Sequence, residues 1–169
     1  RQAQKTPKVT VKLHFPEVDN DSTMVRSVPD NAEIPDSDIS LNGKKVLICE
    51  DNALNREIAA ELLKKQGMIV CCAENGRDGL NKFAESADHE FDIILMDLRM
   101  PVMGGLEATR MIRMLARADA VSVPIIAMTA DAFPEDIQKC LDAGMNGHIA
   151  KPVLPETLYK ILAGAMKHL

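Results

Sequence analysis

The sequence predicts an α/β fold: five short strands alternate with five helices and assemble as one parallel, doubly wound sheet. Three observations predict it. Short apolar runs rich in Val and Ile recur between residues 45 and 150, as buried parallel strands require. The segments between them carry apolar residues at helical spacing and end on Gly or begin near Pro. An acid, a hydroxyl or a lysine stands at or just beyond the end of four of the runs.

The elements follow in order. KVLIC (45–49) is the first strand. Asn52 is a helix cap, Leu54, Ile58 and Leu62 follow at helical spacing, and Gly67 stops that helix. MIVCCA is the second strand and NGRDGLNKFAES the second helix. FDIILMD, the most apolar run, is the third strand. GLEATRMIRMLAR reads as a third helix with Leu106, Thr109, Ile112 and Arg113 in phase. VPIIAM is the fourth strand. Pro134 opens the fourth helix, Ile137, Cys140 and Leu141 face inward, and Gly144 closes it. GHIA is the fifth strand. The last helix starts near Pro155 and presents Leu158, Ile161, Leu162 and Ala165. Right-handed crossovers and the chain length favour the strand order 2-1-3-4-5, with helices on both faces.

The first 40 residues are different. Residues 1–15 carry Arg1, Lys5, Lys8 and Lys12 and no acid; Val9, Val11, Leu13 and Phe15 alternate as in a strand that lacks a partner. Residues 16–40 hold seven acids, three prolines and one Arg, too little apolar surface to order themselves, so 16–42 reads as an acidic, flexible linker. Of the 169 residues, 3% are aromatic, and the net charge is −5. Base stacking and a basic nucleic-acid footprint are both excluded as expectations. No apolar run has transmembrane length. Cys49, Cys71, Cys72 and Cys140 show no CxxC spacing and read as reduced core cysteines. Met96, Met100, Met103, Met111 and Met114 read as packing, and His14, His89 and His168 as surface residues.

In an open parallel sheet, chemistry belongs beyond the carboxyl ends of the strands. Strand one ends at Glu50-Asp51, strand three at Asp97 and strand four at Thr129; strand five is followed by Lys151-Pro152. Two unit charges ~4 Å apart repel by roughly 4 kcal/mol at an effective dielectric near 20. Three carboxylates on one rim therefore call for a cation. Oxygen ligands without His or Cys suit Mg²⁺, with Mn²⁺ as the alternative. Such a rim can perform phosphoryl transfer: Asp97 as nucleophile, Lys151 and the Thr129 hydroxyl on phosphoryl oxygens, and an acyl phosphate as product.

The set Glu50-Asp51, Asp97 in MDLRMPVMGG, Thr129-Ala130 and Lys151-Pro152 resembles the receiver domains of response regulators and hybrid histidine kinases, over about residues 43–167. PVMGGLEATRMIR, MTADAF and AGMNGHIAKP are most similar to receivers attached to hybrid sensor kinases. TVKLHFP resembles the last strand of a kinase ATP-binding domain. The resemblance implies a flavodoxin-like sheet, a receiver over 43–169 and a kinase-domain end over 1–15. It implies that Asp97 accepts a phosphoryl group from the phosphohistidine of a sensor kinase or phosphotransfer protein. Asp51 then ligates Mg²⁺, Glu50 acts through a metal-bound water, and the Arg99 backbone carbonyl is a further ligand. Thr129 and His148 are the switch residues, His148 standing where many receivers carry Tyr or Phe. Lys151–Pro152 is expected to be cis. Arg99 and Asp131 resemble positions that tune dephosphorylation and could pair with each other. A monomer located in the cytoplasm is expected, with any membrane anchor left to the parent kinase and no direct contact with nucleic acid.

Each residue alone has a bland reading: acids at a helix start, a turn Asp, a surface Lys. Five in order outweigh these. Two other functions stay open at this point. An Asp-nucleophile phosphatase would need an acid two residues after Asp97, where Arg99 stands. A phosphorylation-independent docking module would not need an intact rim.

Overall fold

The computed structural model describes residues 40–167. The strand expected over residues 8–15, nearly all of the acidic linker, His14 and His168 lie outside them. The chain runs β1 (Lys45–Cys49), α1 (Ala53–Lys65), β2 (Ile69–Ala73), α2 (Gly76–Glu85), β3 (Ile93–Asp97), α3 (Gly105–Arg113), α4 (Ala118–Ser122), β4 (Ile125–Thr129), α5 (Pro134–Ala143), β5 (Gly147–Ala150) and α6 (Pro155–Met166). All neighbouring strands pair in parallel, in the order β2-β1-β3-β4-β5. This is the expected sheet.

Strand side chains alternate between two cores. Val46, Ile48, Leu95 and Met128 pack under α1 and α6. Leu47, Cys49, Ile94, Met96 and Ala127 pack under α2, α3, α4 and α5. Because both faces are covered, β3 and β4 are buried along their whole length, which is why their sequences show no alternation. The cysteines are unbridged, and Cys49 and Cys140 are buried.

Four expectations change. The third helix stops at Arg113, and a separate short helix, α4, follows. On α1 the core face is Ala59, Ala60 and Leu63, while Leu54 and Ile58 are 64% and 48% exposed. The small alanines let the helix lie close to the sheet and turn its larger apolar residues outward. On α5, Cys140 and Ala143 are buried while Ile137 and Leu141 are only half-buried. Among the methionines, Met96 and Met103 are core residues, whereas Met111 and Met114 are exposed.

The α3–α4 break is held by one side chain. Arg117 makes a bidentate pair with buried Asp119, at 2.6 and 2.8 Å. The rest of its guanidinium donates to the carbonyls of Phe83, Ser86 and Ala87 at the end of α2 and just beyond, and it stacks on the Phe83 ring. The amide of His89 donates to Asp119. Phe83 lies in the last turn of α2, Ser86 at its cap and Ala87 in the loop beyond, so the ion pair joins α2, the following loop and α4.

The Arg117 hydrogen bond holds the Asp119 carboxyl below the usual carboxylate range, against the opposing effect of burial. A depressed folded-state pKa gives stability that is complete above the unfolded value, about 3.9, and lost as pH falls through the folded value. Asp119→Asn is expected to cost about 1.5–3 kcal/mol at pH 7 in urea unfolding, and the gap to wild type should shrink below about pH 4. A gap constant from pH 7 to pH 3 would contradict the ion-pair account.

Candidate functional site

The carboxyl ends of β1, β3, β4 and β5 open into one hollow whose lining includes Glu50, Asp51, Asp97, Arg99, Thr129 and Lys151. Ligand oxygens of Glu50, Asp51 and Asp97 all lie within 4.8 Å of one another. The Lys151 ammonium sits between two of these groups, 2.7 Å from Glu50 Oε2 and 3.0 Å from Asp97 Oδ2. Glu50 and Asp97 are buried while Asp51 is exposed. The pleat explains the gathering: each residue lies at or just beyond the last rung of its strand, so parallel pairing brings all of them to the same edge.

Local bonds orient the carboxylates. Glu50 Oε1 accepts the Asn52 amide at 3.2 Å, and Asn52 caps α1 through Asn55. Asp97 Oδ1 accepts the Arg99 amide at 3.3 Å. The Thr129 hydroxyl donates to the Asp131 carbonyl at 2.8 Å and accepts the Asp131 amide at 3.1 Å. Arg99 and Asp131 form a 3.1 Å ion pair at the mouth. Lys151–Pro152 is cis, as expected.

Burial pushes the Glu50 carboxyl up, with the nearby Asp97 charge adding to the effect, although Lys151 opposes both. For Lys151, burial works against the charged form, but hydrogen bonds to Glu50 and Asp97 prevail and raise its pKa. Three carboxylates and one ammonium leave a formal deficit of two positive charges. An all-oxygen donor set with that deficit fits a hard dication.

The expected residues Glu50, Asp51, Asp97, Arg99, Thr129 and Lys151 therefore come together. His148 does not join them: it sits half-buried on β5, beside Ala127 of β4, and burial lowers its pKa. Two contributors escaped the sequence reading. Arg56 grips the acidic turn from α1, donating to the Glu50 carbonyl at 2.7 Å. Gly105 lets the start of α3 approach Asp97: a Cβ there would collide with the Asp97 carbonyl. An Arg on a helix gives no local signal of such a role, whereas the Gly104-Gly105 pair after Asp97 was a readable sign of close approach.

The family model described as the response regulator receiver domain matches residues 46–163. Probable histidine kinase 5 of Oryza sativa subsp. japonica is 38% identical over 141 residues, 73% of this chain and 12% of that protein. Hybrid signal transduction histidine kinase I of Dictyostelium discoideum is 38% identical over 121 residues, 70% of this chain and 7% of that protein. The chain thus spans only a small fraction of these relatives. Among solved structures, the receiver domain of sensor histidine kinase PA1611 from Pseudomonas aeruginosa PAO1, with a magnesium ion coordinated in its active site cleft, is 37% identical at a TM-score of 0.67. It matches 74% of this chain and 98% of that one. The receiver domain of Saccharomyces cerevisiae Ssk1, co-crystallised with the histidine phosphotransfer protein Ypd1, belongs to a structure that is 32% identical at a TM-score of 0.65. That match covers 76% of this chain and 93% of that one.

Gly105→Ala tests the close approach. Steric overlap with rigid backbone is expected to cost about 1–3 kcal/mol in chemical denaturation and to move the amide resonances of Asp97 and Leu98. Unchanged stability and unchanged resonances would show that α3 can retreat freely.

Proposed function

The chain belongs to the response regulator receiver domain family, and from that membership we propose that it takes a phosphoryl group on Asp97 from a partner's phosphohistidine. The observation that carries the reading is the Lys151 ammonium, which is bonded to both Glu50 and Asp97 within the hollow that also holds Thr129. Lys151 leaves the cluster two positive charges short, which supports Mg²⁺ as the ion, with Mn²⁺ an acceptable substitute. Glu50, Asp51 and Asp97 would hold it through carboxylates, Glu50 through an intervening water, and Arg99 through its backbone carbonyl. When bound, the ion neutralises phosphoryl oxygens and the carboxylates around them.

This chain's residues do the rest. An Asp97 carboxylate oxygen attacks phosphorus; the new O–P bond forms as the P–N bond to the donor imidazole breaks, and the nitrogen keeps the electron pair. Lys151 follows the charge to a phosphoryl oxygen. Thr129 must give up its bond to the Asp131 carbonyl to donate to another. That movement frees space toward β5 and lets His148 turn inward, altering the face formed by α5, β5 and α6. The Arg99–Asp131 pair spans the mouth and sets the access of water to the acyl phosphate. A phosphatase reading loses ground because Arg99, not an acid, lies two residues after Asp97.

Beside the hollow runs a largely apolar groove lined by Ile58, Ala59, Met128, Pro152 and Val153, with Glu50, Asn55 and Lys151 shared with the hollow; Leu54, one turn before Ile58 on α1, and Leu154, next to Val153, are exposed. We assign the groove to docking of the partner that carries the donor histidine. The Ssk1 receiver's complex with Ypd1 supports a partner of this kind. The named relatives support a hybrid histidine kinase as the parent. From the sequence pattern alone we read 1–15 as the end of a kinase domain, 16–42 as linker and 43–169 as a receiver, and we propose that it works as a monomer on the cytoplasmic side. No helix among the described residues is long and apolar enough to cross a membrane.

Two outcomes test this. With acetyl phosphate and Mg²⁺ the wild type should gain one phosphoryl group by intact mass, while Asp97→Asn and wild type with excess chelator gain none. Labelling that persists in Asp97→Asn would sink the assignment. The doubly substituted Leu54→Glu, Ile58→Glu protein should take phosphoryl groups from a phosphohistidine donor protein at least ~10-fold more slowly, the equivalent of about 1.4 kcal/mol. Its rate with acetyl phosphate should stay near that of wild type. Equal slowing with both donors would place the defect in the rim instead of the groove.

A further inference from the structure

We propose that Arg56 is a positioning residue that holds the two adjacent acids in the shape a divalent cation needs; this rests on reading the rim as a cation site. The Arg56 side chain is only 18% exposed. Its Nη1 donates to the Glu50 carbonyl at 2.7 Å and reaches the Asp51 carbonyl at 3.5 Å. Its Nη2 lies 3.6 Å from Glu74, just past the end of β2.

The choice of carbonyl matters. Glu50 C=O belongs to the rigid peptide plane that joins Glu50 to Asp51. Glu50 turns inward to Lys151 and the Asn52 amide, while Asp51 is exposed. The two side chains diverge from that one plane, so a rotation of the plane carries both carboxylates with it. On one side of Glu50, its amide donates to the Ala73 carbonyl. On the other side, β1 has ended, and Arg56 supplies the donor. The next residue after Ala73, Glu74, faces the same guanidinium. The clamp thus connects α1, the end of β1 and the end of β2.

Charge and position predict opposite signs, which makes the proposal testable. A guanidinium near a cation site repels the cation, so its removal would tighten binding if charge dominated. Removal weakens binding if holding the plane dominates, and outer groups that orient ligands are typically worth 10–100-fold in metal affinity.

The experiment titrates Mg²⁺ alone into wild type, Arg56→Ala and Arg56→Lys by calorimetry, with the thermal midpoint recorded for each. Arg56→Ala should bind Mg²⁺ about 10-fold more weakly. Arg56→Lys, which keeps the charge and one donor, should fall between the two or match wild type. Binding by Arg56→Ala that equals or exceeds wild type overturns the proposal. So does an Arg56→Lys protein no better than Arg56→Ala, because the loss would then follow packing. Should Arg56→Ala not fold, Arg56→Gln decides: weaker Mg²⁺ binding supports the proposal, and equal or tighter binding overturns it. Failure of the underlying site reading looks different, since wild type itself would then bind no Mg²⁺.

Discussion

Three carboxylates crowd one edge of the sheet, and the Lys151 ammonium bonded to two of them makes that crowding tolerable. The rest of the structure depends on this balance. Glu50 and Asp97 are buried, where an unpaired charge is costly. Their oxygens could not face each other within 4.8 Å without a positive partner. A single ammonium offsets one charge of three. The remaining imbalance is what the proposed function draws on, because an all-oxygen donor set short of two positive charges suits a hard dication.

The fold serves that balance by rigidity. The strands that end at the hollow, β1, β3, β4 and β5, pair in parallel with matched register, so their terminal residues fall along one line. Helices pack both faces, leaving little freedom for a strand to slide and separate the charges. Gly105 allows α3 to press against the Asp97 backbone. At the other end of α3, Arg117 and Asp119 bind α2 to α4. The proposed switch draws on side chains outside this packed frame, the Thr129 hydroxyl and the exposed Arg99–Asp131 pair at the rim, and on half-buried His148 within β5.

Much of this was legible in the sequence. The strands are marked by Val and Ile runs such as IILM, and parallel pairing with right-handed crossovers narrows the topologies to a few, of which the doubly wound order 2-1-3-4-5 fits the chain. The rim residues could be read because each occupies a strand end and each has a chemistry its neighbours lack. Contacts made between elements were not legible. Arg56 resembles any helix arginine until the Glu50 carbonyl is placed beside it. Arg117 looks like the last residue of one long helix, yet its attraction to Asp119 and to the α2 carbonyls ends α3 early. Leu54 and Ile58 have core-like spacing on α1, but Ala59 and Ala60 allow the closer approach to the sheet and win the inward face. Periodicity reports which residues share a face, and packing decides which face is buried.

The most direct test of the account is to locate the acyl phosphate chemically. Borohydride reduction of the phosphorylated protein converts an aspartyl phosphate to homoserine, and peptide sequencing by mass spectrometry then reads its position. The account predicts homoserine at residue 97 and nowhere else. Reduction at Asp51 or Glu50, or a phosphorylated chain with residue 97 still aspartate, would contradict it.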